Sequence, residues 1–118
     1  MKKVYVFGNE FLNEDAMAPR VASFLHGIIP VYCTSPEQLM DAGNTLIILD
    51  VVRNISKPAL LTSIEKIKTR SLLSMHDFDV GFFLSLMDRM GMKKTVKIIG
   101  LPPIGDPQRF AREVQPWI

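Results

Sequence analysis

The chain has 118 residues, 47% hydrophobic and 22% charged, which predicts an ordinary globular protein of one domain, residues 1–118. Fourteen Lys and Arg against twelve Asp and Glu leave a net charge of +2, too weak to point to nucleic acid or anionic lipid as a partner. A single cysteine, Cys33, closes no intramolecular disulfide, and with only two histidines it builds no zinc framework.

In chain order, four short runs rich in Val, Ile, Leu and Tyr read as strands: Lys3 to Phe7, Ile29 to Cys33, Thr45 to Val51 and Thr95 to Gly100. Each is too short for an ordinary helix and nearly continuous in apolar character, as strands buried on both faces of a mainly parallel sheet are. Ala59 to Thr62 and Ser71 to Ser74 are weaker strand candidates. After the first run, Asn13 to Leu25 reads as a helix that opens with a capping residue and acids, with Met17, Val21, Phe24 and Leu25 on one apolar stripe. Pro19 cannot donate a hydrogen bond, so this helix either begins close to it or starts irregularly over Asp15 to Ala18. Ser35-Pro36-Glu37 opens a short helix to about Ala42, with Ser35 as N-cap. Ile64 to Thr69 is either a helical turn or a connection. Asp77 to Gly91 reads as a helix from the recurrence of Val80, Phe83, Leu84 and Met87, with Gly91 as C-cap. Asp106-Pro107 starts a last helix through about Val114. This alternation, without repeats or linkers, predicts an α/β fold, a three-layer αβα sandwich around a mainly parallel central sheet of about five strands.

No apolar run approaches the roughly 18 residues that span a bilayer. Met1-Lys2-Lys3 passes into a strand without the apolar region of a secretory signal. The expectation is a cytoplasmic monomer with neither nucleic acid nor membrane as partner.

In open α/β sheets, ligands bind beyond the carboxyl ends of the strands. That rule singles out the segment Gly8 to Asp15 after the first strand, Asp50 closing the apolar run Leu46 to Leu49, and His76 after Leu72-Leu73-Ser74-Met75. Together Asp15, Asp50 and His76 would offer two carboxylates and an imidazole, an O, O, N set able to grip a divalent transition metal with positions left open. Each also has a plainer role. Asp15, like Asn13 and Glu14, can cap a helix. Asp50 can serve a turn, although it is an unusual stop for so apolar a run. His76, before the helix-opening Asp77-Phe78-Asp79, can be a satisfied structural imidazole.

Other chemistries are disfavoured. Gly8-Asn9 lacks the later glycines of G-x-G-x-x-G, since Glu10 and Asn13 stand there, and a carboxylate-rich loop repels a pyrophosphate. There is no G-x-S-x-G elbow, and no motif marks Cys33 as a nucleophile. His26, before Gly27, reads as a surface cap of the first helix. Phe78, Phe82, Phe83, Met87 and Met90 read as packing residues.

Taken in order, four motifs resemble those of the [NiFe]-hydrogenase maturation endopeptidases over nearly the whole chain. They are Val4-Tyr5-Val6-Phe7-Gly8-Asn9 followed by Leu12-Asn13-Glu14-Asp15-Ala16-Met17-Ala18-Pro19-Arg20-Val21, then Leu46-Ile47-Ile48-Leu49-Asp50, Ser74-Met75-His76-Asp77-Phe78-Asp79 and Val96-Lys97-Ile98-Ile99-Gly100-Leu101-Pro102-Pro103. The acidic loop here reads Glu14-Asp15-Ala16-Met17-Ala18, where the family commonly carries paired Asp followed by Gly-x-Gly. The resemblance implies a metal-dependent endopeptidase of aspartic type that removes a short carboxyl-terminal extension from the precursor of a hydrogenase large subunit after nickel insertion. It implies Asp15, Asp50 and His76 as both the catalytic and the metal-contacting residues, with Glu14 the lesser occupant of the first place and Asn9 ordering the acidic loop. Nickel would be supplied by the substrate, and another divalent metal could take its place in a crystal. Two other readings stay open: a non-catalytic metal- or partner-binding module of the same fold, and a small nucleotide- or flavin-binding sheet protein, which the acidic rim disfavours. In the first two readings, the net +2 conceals a local anionic cluster of Glu10, Glu14, Asp15, Asp50, Asp77 and Asp79 around His76.

Overall fold

In the computed structural model, which describes residues 1–8, 11, 16–34, 36–39, 42–53, 55–61 and 95–118, the apolar runs form one sheet. Its strands are β1 (Lys2–Phe7), β2 (Ile28–Cys33), β3 (Thr45–Val51), β4 (Ala59–Leu61) and β5 (Thr95–Leu101). They lie in the order β2-β1-β3-β5-β4, so β3 occupies the centre. β1 pairs in parallel with both β2 and β3, and β3 in parallel with β5 through seven residue pairs from Thr45↔Thr95 to Val51↔Leu101. Only β4, a short edge strand, runs antiparallel, with Leu60 opposite Ile99.

Side chains alternate between the two faces of a strand, and each face of this sheet has its own core. Val4, Val6, Ile47, Leu49, Val51, Ile99 and Leu101 pack against α1 (Met17–Phe24) and α2 (Pro107–Val114), chiefly through Met17, Val21, Phe110 and Val114. Tyr5, Phe7, Leu46, Ile48 and Ile98 form the other core with Leu39 and Cys33. Strands with both faces buried in this way explain the continuous apolar runs of the sequence. The five-stranded, mainly parallel α/β sheet is therefore the one expected. The helix expected at Asp77 to Gly91, the strand at Ser71 to Ser74 and the ambiguous Ile64 to Thr69 lie outside the described residues.

α1 starts close to Pro19, one of the two expected starts, but without the expected cap and acids, and a second helix is shorter than expected. α1 begins at Met17, with Ala16 as its N-cap, no side-chain cap and no acid in its first turn. Pro19 is the reason the early start fails: at the third helical position its missing N–H leaves no intrahelical bond unmade, whereas a helix running from Asn13 would place it in the interior. The Arg20 N–H donates to Ala16 O at 3.1 Å and closes the first turn. Likewise, the helix expected after Ser35 is a single 3-10 turn, Pro36–Leu39, that ends before Ala42. The Gln38 side chain accepts a hydrogen bond from the Thr34 N–H at 2.7 Å, and Leu39 is fully buried.

α2 starts as expected. Pro107 occupies its first turn and Asp106 Oδ1 accepts from the Gln108 N–H at 3.1 Å. The chain then makes a 3-10 turn, Gln115–Trp117, that is stitched to the amino end of the sheet. Lys97 Nζ donates to Trp117 O at 2.6 Å and Lys2 Nζ to Ile118 O at 3.0 Å. The Gln115 amide pairs with both backbone groups of His26, accepting from its N–H at 2.9 Å and donating to its carbonyl at 3.0 Å. Thus His26 takes part through its backbone, beyond the end of α1. Among the described residues, no helix is long and apolar enough to cross a membrane.

Candidate functional site

From β1 the chain proceeds to β2 on one side, and then crosses to β3 on the other side of β1. Such a reversal leaves a crevice at the carboxyl ends of the two diverging strands, where open α/β sheets hold their ligands. Asp50 stands there, the last residue but one of β3.

Its environment is unusual for a carboxylate. Asp50 is 3% exposed, and it is the one buried charged residue among those described. Its Oδ1 accepts a hydrogen bond from the Val51 N–H at 2.9 Å, which fixes the carboxylate against its own strand. By alternation it belongs to the face that carries Leu46 and Ile48. Directly across the ladder is Gly100 of β5. A Cβ at Gly100 would stand 2.9 Å from Val52 Cγ2, and the Val52 N–H donates to Leu101 O at 2.9 Å, so the backbones close tightly here. A charge out of water is tolerated only where donors or a cation compensate it, and in that low-dielectric setting its attraction for a cation is strengthened.

The turn that leaves β1 is also shaped for the rim. Gly8 adopts φ 141° immediately after Phe7, a conformation L side chains rarely adopt. Asn9, Glu10, Glu14, Asp15, His76, Asp77 and Asp79 lie outside the described residues. Among the described residues, no group of three His, Cys, Asp or Glu side chains is placed to hold a metal. Asp50 is thus the member of the expected set whose surroundings are described.

Cys33 ends β2 on the same rim but is buried, and burial pushes its thiol above its ordinary 9.0. A thiol held protonated is a poor nucleophile, in keeping with its dismissal on sequence grounds. At the opposite, amino end of the strands lies a cavity of about 540 Å³ lined by Lys2, Lys3, Tyr5, Thr45, Thr95 and Lys97 among others.

No protein-family model and no curated protein sequence matches this chain. Solved structures do. The [NiFe] hydrogenase maturation protease HybD from Thermococcus kodakarensis superposes with a TM-score of 0.61 at 13% identity, over 98% of this chain and 94% of that one. A hydrogenase 3 maturation protease gives 0.61 at 15%, over 97% and 86% of the two chains. This chain shares their fold. A hydrogenase 2 maturation peptidase from a Thaumarchaeota archaeon adds a TM-score of 0.54 at 16% identity, over 99% and 95%. The likeness in fold therefore extends over nearly the whole of this chain.

Proposed function

We propose that this chain is an endopeptidase of hydrogenase maturation, which removes the carboxyl-terminal extension from a [NiFe]-hydrogenase large-subunit precursor once nickel is in place. The observation that carries this reading is the burial of Asp50 at the switch point of a sheet that shares the fold of maturation proteases along almost its full length. In this reading Asp15, Asp50 and His76 contact the nickel that the precursor presents. The metal belongs to the substrate, and two carboxylates with an imidazole suit a divalent transition metal that already has ligands of its own.

The work asked of this chain is then recognition followed by hydrolysis. Asp50, held against its strand by the Val51 N–H, offers a buried carboxylate whose attraction for an arriving cation is strengthened by its surroundings. Docking of the metal brings the tail to the rim. A carboxylate of the set then accepts the proton of the water that attacks the scissile carbonyl and returns it to the nitrogen of the breaking C–N bond, so that the tail leaves as an amine. The enzyme is expected in the cytoplasm, as a monomer.

The deciding experiment incubates the purified protein with a tail-bearing large subunit in nickel-loaded and nickel-free forms and follows loss of the tail by mass spectrometry. Cleavage confined to the loaded form is the expected result. Stable association without cleavage would make the chain a binding module, and equal cleavage of both forms would remove metal recognition from the reading.

A further inference from the structure

The cavity of about 540 Å³ at the amino end of the sheet lies where the strand pairing is incomplete. β3 stays paired with β5 down to Thr45↔Thr95. β1 and β3, by contrast, pair at Tyr5↔Ile48 and Val6↔Leu49 and no nearer their amino ends. Carried back, that register would set Lys3 opposite Leu46 and Lys2 opposite Thr45, and these four residues line the cavity instead. Backbone groups that leave a ladder need other polar partners.

The charges around the opening have one sign. Lys2 and Lys3, consecutive on β1, leave from opposite faces of the strand, and Lys97 of β5 adds a third ammonium. Among the described lining residues none is Asp or Glu. Lys2 and Lys97 are each steadied by one bond to a carbonyl, of Ile118 and Trp117. An ammonium has three donors, so each keeps two.

Tyr5 distinguishes this cavity from a merely basic cleft. It lines the cavity and is only 7% exposed, with its ring packed among Phe7, Leu46 and Ile48. Its hydroxyl has no hydrogen-bond partner among the described residues. A buried phenol ordinarily finds one, and leaving it unpaired is costly. An anionic oxygen in the cavity would accept this hydrogen bond, and the charge would strengthen it.

We propose that the cavity binds a small anion with an apolar body, its charged head a phosphate monoester or a carboxylate. The head takes the free donors of the three lysines and the Tyr5 hydroxyl, while Leu46, Ile47 and the Tyr5 ring offer the body an apolar wall. The volume is that of an ordinary small-molecule pocket. A nucleic acid fits poorly, because the ammonium groups gather at one opening on a chain whose net charge is only +2. The site is independent of the peptidase reading, since Asp50 lies at the other end of β3.

The test titrates the protein with phenyl phosphate, benzoate, inorganic phosphate and benzyl alcohol by calorimetry at low salt, using wild type, Tyr5→Phe and Lys3→Gln. Phenyl phosphate or benzoate should bind with Kd of about 1 mM or tighter and raise the melting temperature, and the tighter of the two names the head. Inorganic phosphate, without the body, and benzyl alcohol, without the charge, should bind more weakly. Tyr5→Phe should weaken binding about tenfold, Lys3→Gln about threefold or more, and added salt should weaken it further. Without ligand, Tyr5→Phe should be at least as stable as wild type, because the hydroxyl it removes has no partner to lose. Failure of both phenyl phosphate and benzoate to bind overturns the proposal, and so does binding that is equal in all three proteins. A Tyr5→Phe variant clearly less stable than wild type overturns it too, by showing that the phenol already has a partner.

Discussion

The two ends of the sheet are built on opposite plans. At the amino end the polar groups are partnered within the chain: Lys2 and Lys97 donate to the carbonyls of Ile118 and Trp117, and Gln115 pairs with both backbone groups of His26. Lys2 and Lys3 are exposed there. At the carboxyl end a carboxylate, Asp50, is buried with the Val51 N–H bonded to it, and the loop after β5 leaves Ile104 85% exposed. Departures of this kind from local rules concentrate where a protein meets something else, which is why the carboxyl end carries the peptidase proposal.

The sharpest way to break this contrast is Asp50→Asn. Asparagine keeps an oxygen to accept from the Val51 N–H but loses the charge, so stability and function should move apart. Tail removal should fall about 10²–10⁴-fold, while the variant still unfolds cooperatively from a native fold. A variant that retains processing and unfolds more easily would make Asp50 a structural residue. Next in size is Gly105→Ala. Its Cβ meets the Phe110 ring in a backbone conformation hostile to L side chains, and the cost should be about 1–3 kcal/mol in urea unfolding. At the amino end, Gln115→Ala removes two exposed hydrogen bonds and should cost about 1 kcal/mol. It should leave the kcat of processing unaltered, and an equal loss of activity there would erase the distinction between the ends.

How far these plans can be read from sequence differs between the ends as well. β3 matches the run Thr45 to Val51 residue for residue, because a strand buried on both faces leaves a nearly continuous apolar signature, here Leu46 to Leu49. The α2 start is equally legible, since Asp106-Pro107 is a local cap with a local mechanism. Asp50 stood out because it interrupts so apolar a run. The start of α1 was less legible: Asn13, Glu14 and Asp15 have the chemistry of a cap, but Pro19 decides the register, and Ala16 carries no capping group at all. The antiparallel direction of β4 and the bond from Lys97 to Trp117 depend on contacts between distant segments, for which the sequence has no period. Ile104 is the instructive omission. In sequence it is one more apolar residue after two prolines, and only the backbone of Gly105 against Phe110 reveals that it is held outward.

The smallest effect tests whether burial at the carboxyl rim extends beyond Asp50 to Cys33 at the end of β2. Burial pushes the thiol above 9.0, so above that pH the unfolded chain releases a proton that the native state keeps. The native state then binds more protons than the unfolded one, and stability must decline as pH rises. Below 9.0 the contribution is complete, and it is lost progressively through the alkaline range up to the raised value. Wild type should therefore lose stability more steeply than Cys33→Ala in urea titrations run from about pH 8 to about pH 10.5, whatever constant offset the missing sulfur introduces. Slow reaction of Cys33 with a thiol reagent in the native state should accompany this slope. Parallel slopes with fast labelling would mean that water reaches the rim at β2, and the exclusion of solvent around Asp50 would then be confined to the crevice between β1 and β3.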